Sequence, residues 1–545
     1  MSDAFFQEGP HLGNQFVEDA VLTRWLERNL PPEVREEVTP GLESLGERVV
    51  DDILAMAVDA EANEPRHVPY DPWGRRVDDI ETSLGWELLE TAAAEEAIVA
   101  TAYQRRHGAW SRVHQFARLY LYHPSSAIYS CPLAMTDGAA RVMETLAADS
   151  LRERVLPHLI STDPETFWTS GQWMTERTGG SDVSGSETVA RADGDGWRLY
   201  GDKWFTSATT SQVTLTLARA DDGEGPDERL SLFFLELRDE QGRLNGIRIN
   251  RLKDKLGTRA LPTAELTLDG TRAVMVGERG RGVRNIATVL NITRLYNACC
   301  AVGYMRRGIA LARDYAERRE AFGRRLCDQP LHVRTLAGMD AEFRGAFALV
   351  FWLAELMGRD ECGEADARDR ALLRLLTPLA KLYTGKQSVA VVSEVLECFG
   401  GAGYVEDTGL PALLRDAQVL TIWEGTTNVL SLDMLRVLGS GDSGRHWLAE
   451  MEERLQRLEH ARLEHVKAVA ADHLEHLGAW LESLGSIGRD QQEAEARDLA
   501  YSLARVTELV LVAEQAQWEL EHCEDPQAAV AAAWHWANRH DLVLD

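Results

Sequence analysis

A lone carboxylate, Glu424, stands in the run Ile422-Trp423-Glu424-Gly425-Thr426-Thr427-Asn428, between an indole and a glycine and soon after Val419 and Leu420. Burial beside aromatic rings lifts a carboxylate's pKa toward the range useful to a general base. The same residues also suit a helix start, with Thr426 or Thr427 as N-cap. Two further segments carry residue types that can hold a flat, polar-edged heterocycle. In Met174-Thr175-Glu176-Arg177-Thr178-Gly179-Gly180-Ser181-Asp182-Val183, the paired glycines let backbone approach a ligand, while Thr175 and Ser181 supply hydroxyls and N–H groups. A plain loop between a helix and a strand has that composition too. In Lys203-Trp204-Phe205-Thr206-Ser207, Trp204 and Thr206 lie two apart, which places them on one strand face. There an indole and a hydroxyl can meet a ring, or simply fill a β core. Arg319, between Tyr315 and Gly323, has a guanidinium fork that matches phosphate oxygens, although an exposed helical arginine is the commoner outcome.

The elements around these segments change character twice. Residues from about 15 to 160 read as mostly helical, with Leu42, Leu45, Val49, Ile53 and Met56 at helical spacing and a polar turn at Pro65, Pro69 and Pro72. From Phe167 to about Val276, β-rich runs alternate with the turn dipeptides Asp193-Gly194, Asp195-Gly196, Asp222-Gly223 and Asp269-Gly270, which predicts an antiparallel β unit. Without βαβ alternation a Rossmann sheet is disfavoured, and the glycines at 277–282 make no dinucleotide fingerprint. Helical periodicity returns over about 283–320, 330–358, 369–399 and 412–438. Gly439-Ser440-Gly441-Asp442-Ser443-Gly444 reads as a flexible linker, and a Glu- and Ala-rich helical region follows.

Composition narrows the function. A chain of 545 residues exceeds one hydrophobic core. Its net charge of -29 repels phosphate backbones and anionic membranes. The arginines 306, 307, 313, 318, 319, 324 and 325 form a short, interrupted cluster suited to a local anion site rather than to nucleic acid. Seven widely spaced cysteines fit reduced thiols, most of them buried. Histidines 460, 465, 473 and 476 share no metal-binding face, so no metal is expected. The first residues carry no signal-peptide pattern, and no apolar run is long enough to span a bilayer. The expectation is a cytoplasmic protein with no membrane partner.

Taken in order, these motifs resemble the acyl-CoA dehydrogenase family. The matching stretches are 175–182, 204–206, Lys255-Leu256-Gly257-Thr258-Arg259, 277–282, 315–323, 400–404 and 424–426, spread over about 85–438. Asn14, Tyr70-Asp71, Gly74-Arg75-Arg76, Gln329-Pro330-Leu331 and the long C-terminal extension are similar to the AidB-type branch. The resemblance implies an α+β, mostly α fold. It comprises an N-terminal helical domain (1–162), a central antiparallel β domain (163–280), a C-terminal four-helix bundle (281–438) and a helical appendix (439–545). It implies FAD between β domain and bundle, contacted by Met174, Thr175, Gly180 and Ser181 and flanked by Trp204, Thr206 and Ser207. Gly400, Gly401, Trp423, Thr426 and Asn428 would complete the FAD site. Arg319 and Phe322 would reach a neighbouring subunit's FAD, and Arg294 would support the catalytic loop. The implied activity is α,β-dehydrogenation of a medium- or long-chain acyl-CoA, with Glu424 as base. The implied partners are an acyl-CoA, an electron-transfer flavoprotein or similar acceptor, and other copies of the chain in a homotetramer. An AidB-like stress-response or acyl-CoA-sequestering role with little turnover is the alternative.

Three features depart from the pattern. Glu397 stands where many members carry Gln, and Arg325 replaces a Pro. The appendix (441–545) carries about 21 acidic and about 9 basic side chains, which makes DNA an improbable partner.

Overall fold

The computed structural model describes residues 8–544. They form two compact units, one from residues up to 50, 105–124 and 297 onward, the other from 51–104 and 125–296.

The second unit is built on a seven-stranded sheet: β3 (Ser170–Trp173), β4 (Val189–Asp193), β5 (Gly196–Ser207), β6 (Val213–Asp221), β7 (Leu230–Glu236), β8 (Ile247–Leu252) and β9 (Thr263–Val276), following a separate hairpin of β1 (Arg66–Tyr70) and β2 (Arg76–Glu81). The order β6-β4-β5-β9-β7 closes on itself because β7 also pairs with β6, and β8 lies on β9. Closure leaves few unpaired edges. Trp173, Leu199, Phe233, Leu235, Leu266 and Leu268 fill one core. On the other side, Leu215, Leu217 and Phe234 pack with Val142, Val155 and Leu159 of the helices Ser130–Thr145 and Asp149–Leu159.

The sheet departs from the sequence reading in two ways. It is mixed, because β3 and β4 run parallel to β6 along one edge of it. Asp269-Gly270 is no turn: β9 continues through it, and Gly270, at φ +74°, is the extra residue where Leu199↔Thr271 gives way to Tyr200↔Asp269. The hairpin β1–β2 likewise interrupts the expected helical run. Pro69 sits inside β1, a two-stranded ribbon with free edges that tolerate its missing N–H.

The first unit is helical. Pro330–Glu361 packs on Ala367–Cys398, and Arg489–His522 packs on both and on Thr427–Gly439. The C-terminal region therefore shares the bundle's core. Leu503, Val506 and Val510 are buried, Trp447 donates its indole N–H to Thr507 (2.9 Å), and Trp536 donates to the Ala341 carbonyl (2.9 Å). Cys131, Cys299 and Cys300 are buried and the other four cysteines half-buried, fewer than expected. Of the clustered arginines, Arg306 and Arg307 are buried, whereas Arg313, Arg318, Arg324 and Arg325 are exposed. Arg306 bonds Asp19 and Gln15, Arg313 pairs with Asp340, Arg318 with Asp314 and Glu8, and burial holds Arg307 down to about 9. Among the described residues no helix is long and apolar enough to cross a membrane, and no group of His, Cys, Asp and Glu could hold a metal.

Candidate active site

In the sheet unit, the glycine-rich turn and the Trp204 strand are tied together. Trp204 N–H donates to Thr175 O (3.0 Å). Beneath them lies an ion pair absent from the sequence reading: Lys203 Nζ sits 2.7 Å from Glu176 Oε1, and both side chains are buried. Lys203 also donates to Leu217 O (3.0 Å), and Glu176 accepts from Thr188 Oγ1 (2.6 Å) and the Glu187 N–H. Burial works to raise the Glu176 carboxyl. The Lys203 charge and these hydrogen bonds overcome it and hold the group below the usual carboxylate range.

The turn is closed by contacts that only glycine permits. A Cβ on Gly180 would come within 2.4 Å of Thr175 Oγ1, and Gly179 adopts φ +126°. Met174 is buried below, Thr175 is half-buried, and Gly180 and Ser181 are exposed. The Trp204 ring is half-exposed, with Lys253 Nζ 3.8 Å and the Arg177 guanidinium 5.6 Å from its centroid. Exposed N–H and hydroxyl groups beside a half-exposed indole fit the polar edge and flat face of an isoalloxazine.

Thr206 does not share a face with Trp204. Lys203↔Leu266 is followed by Thr206↔Ala264, so three steps on β5 oppose two on β9. The bulge breaks the alternation. Thr206 is buried with its hydroxyl donated to Ala264 O (2.8 Å), while Ser207 is half-buried beside Thr263 Oγ1 (3.1 Å). Arg294 is half-buried on the helix Gly282–Arg318. Another carboxylate missed by the sequence reading is the half-buried Glu90. Burial raises it, against hydrogen bonds from Tyr129 (2.9 Å) and Gln212 (3.3 Å).

In the helical unit, the helical run expected over 412–438 is two helices, Leu410–Val419 and Thr427–Gly439, and 420–426 is the loop between them. Glu424 lies there, half-buried, at φ +57°, followed by Gly425 at φ +104°. A non-glycine residue in that region is uncommon and clusters at functional sites. Trp423 donates its indole N–H to Asn297 Oδ1. Thr426 occupies the N-cap position of Thr427–Gly439, but its hydroxyl makes no capping bond; it and Asn428 are exposed at the helix N-terminus.

A second cluster in this unit gathers the remaining sequence candidates. Arg319 follows the Gly282–Arg318 helix, and Phe322 (φ +53°) and Gly323 (φ +76°) form the two-residue tip of the hairpin Glu320–Ala321/Arg324–Arg325. Phe322 is 99% exposed. The ring of Tyr315 lies 4.6 Å from that of Phe399, which immediately precedes Gly400 (φ +58°) and Gly401.

Comparison with known proteins agrees with this architecture. Residues 10–165 match the adaptive response protein AidB N-terminal domain, 171–271 the acyl-CoA dehydrogenase middle domain, 280–439 the acyl-CoA dehydrogenase C-terminal domain, and 445–544 the acyl-CoA dehydrogenase 11 C-terminal domain-like family. The chain is 42% identical to acyl-CoA dehydrogenase family member 11 of Caenorhabditis elegans, over 98% of this chain and 90% of that protein. The crystal structure of Caenorhabditis elegans ACDH-11 in complex with C11-CoA superposes with TM-score 0.96 at 41% identity, covering 100% of this chain and 94% of that one. The apo form of Bd2924 is 54% identical with TM-score 0.88, covering 94% and 99%. The cofactor of the family these domains define is FAD. The chain belongs to the acyl-CoA dehydrogenase family of flavoproteins, in its AidB-like branch.

Proposed function

We propose that the protein dehydrogenates a medium- or long-chain acyl-CoA between Cα and Cβ, with Glu424 as the general base. The observation that carries this reading is the Glu424 backbone, a carboxylate-bearing residue kept at φ +57° on a loop between two helices. In the reaction the Cα–H bond breaks and its proton passes to the Glu424 carboxylate, while the electron pair left behind becomes the new double bond as hydrogen leaves Cβ. FAD, when bound, supplies the acceptor for that hydride. Met174, Thr175, Gly180, Ser181, Trp204, Thr206 and Ser207 would hold the flavin. Of these, Ser181 and the turn N–H groups have exposed donors for its polar edge, and Thr206 would act through its backbone, since its hydroxyl is engaged. Gly400, Gly401, Trp423, Thr426 and Asn428 would serve the rest of the cofactor, and Arg294 would support the loop. Phe322 and Arg319 would meet a neighbouring subunit in a homotetramer, which accounts for a fully exposed phenyl ring on a strained turn. An electron-transfer flavoprotein or a similar carrier would reoxidise the enzyme. The C11-CoA complex of the worm ACDH-11 supports a medium or long acyl chain.

The test is optical. Acyl-CoAs of graded length added to the purified yellow protein should rapidly bleach the flavin, and Glu424→Gln should abolish that rapid bleaching while retaining FAD. A flavin that stays oxidised with acyl-CoA bound would instead establish the sequestering role.

A further inference from the structure

We infer that Lys381 and Asn297 form a clamp that holds the Glu424 loop in its left-handed conformation and thereby aims the carboxylate, so that they govern the rate of proton removal rather than ligand binding. The inference rests on Glu424 being the base.

Lys381 lies in the apolar run Leu379-Ala380-Lys381-Leu382-Tyr383 of the helix Ala367–Cys398 and is 0% exposed. A buried ammonium is costly unless its protons are hydrogen-bonded. One of these is given to the Gly425 carbonyl at 2.6 Å. One turn along the same helix face is Gly385, where a Cβ would come within 2.8 Å of Leu420 O. The loop thus rests directly on helix backbone. Leu420 O in turn accepts from Asn297 Nδ2 at 3.0 Å, and Asn297 Oδ1 accepts the Trp423 indole N–H. Residues 420, 423 and 425 are therefore each fixed by a side chain from another helix, and Glu424 sits between them. A residue at φ +57° relaxes toward negative φ unless its flanking peptides are held. Here both sides are held. Rotation of the Gly425 carbonyl away from Lys381 would swing the Cα–Cβ bond of Glu424, and a carboxylate misplaced by about 1 Å loses on the order of 10²-fold in rate.

Lys381 and Asn297 are positioning residues by this argument. Lys381→Met should slow single-turnover flavin reduction by about 10²-fold. It should leave FAD content and the affinity for a non-reducible acyl-CoA thioether unchanged, the latter measured by calorimetry. Amide exchange across 420–426 should quicken in the FAD-free and the loaded protein alike, with the rest of the chain unaltered. Lys381→Arg, which keeps a donor, should restore part of the rate. Should Lys381→Met fail to fold, Gly385→Ala, which presses on Leu420 O, is judged by the same three measurements. Wild-type reduction rates, unchanged loop exchange, or parallel loss of FAD and thioether binding would each overturn the clamp. Glu424→Gln separates the two readings. If it still bleaches at the wild-type rate, the base assignment fails and the clamp with it; if it is slowed as expected of a lost base while Lys381→Met runs at full rate, only the clamp fails.

Discussion

Two fully buried lysines, one behind the glycine-rich turn and one behind the Glu424 loop, are used differently. Lys203 faces a carboxylate, Glu176, and the pair anchors a turn whose Gly180 and Ser181 are exposed. Lys381 donates to a carbonyl, Gly425 O, and steadies a loop that carries an ionisable side chain. A cofactor cradle has to persist whatever the reaction is doing, and a charge pair locked into a β barrel achieves that. The proposed base needs its direction set, and a bond to the carbonyl that follows it meets that need. The difference teaches that burial of charge reports support, while the nature of the partner reports what is being supported.

The largest break in this comparison should come from the proposed base. Glu424→Gln is expected to lower the rate of flavin reduction by about 10²–10⁴-fold, the range supplied by general-base catalysis, with thermal stability almost unchanged. Stopped-flow absorbance checks it. Next, Lys203→Met or Glu176→Ala alone should cost about 3–5 kcal/mol, because each strands a buried charge, and FAD should be retained poorly. The double variant Glu176→Gln with Lys203→Met should recover most of that loss in a urea titration. The pair also fixes a pH dependence. The Glu176 carboxyl is held below its unfolded value, so its contribution is complete above about pH 4.5 and disappears as pH falls through the lower folded-state value. Glu176→Gln should flatten the acid limb of the stability curve and leave its alkaline side alone.

How far the sequence spoke for itself depended on the range of the interaction. Helical periodicity and turn dipeptides located the helices and most strands, since both are local. The motif around Glu424 was legible because Trp, Glu and Gly are adjacent. What supports it was not. Lys381 lies 44 residues before Gly425 and Asn297 lies 126 residues before Trp423, so their convergence is visible only in three dimensions. A signal did exist, a lysine inside an apolar helical run. Strand alternation predicted Trp204 and Thr206 on one face, and a one-residue bulge between Lys203 and Thr206 undid it. Likewise Asp269-Gly270 carried a turn's composition but served as a bulge, because φ > 0 at glycine is used equally by both.

A smaller effect is expected at the Phe322 hairpin. Phe322→Ser should leave the fold within about 0.5 kcal/mol of wild type, as an exposed side chain contributes little to its own subunit. If a second subunit covers that ring, the same change should lower the mass observed by light scattering. An unchanged mass would remove the hairpin from any subunit contact.

The smallest effect, none at all, is expected on adding DNA. The appendix is strongly acidic, and each of its nine cations has a partner within the chain. Arg445, Arg489, Arg505 and Arg539 pair with Asp442, Glu493, Asp541 and Asp541. Arg454 and Arg457 pair with Glu514, Arg462 bonds Gln527, Lys467 bonds Leu458 O and Arg497 bonds the Tyr501 hydroxyl. Affinity for a phosphate backbone comes from cations that displace condensed counterions, and the six of these cations that face a carboxylate of their own chain displace few. The acidic excess around them, about 21 against about 9, then acts as repulsion. A mobility-shift assay at low salt should show no complex at micromolar protein. A tight complex that weakens steeply with added salt would mean that these pairs open on contact, and the appendix would then have to be regarded as a latent basic surface.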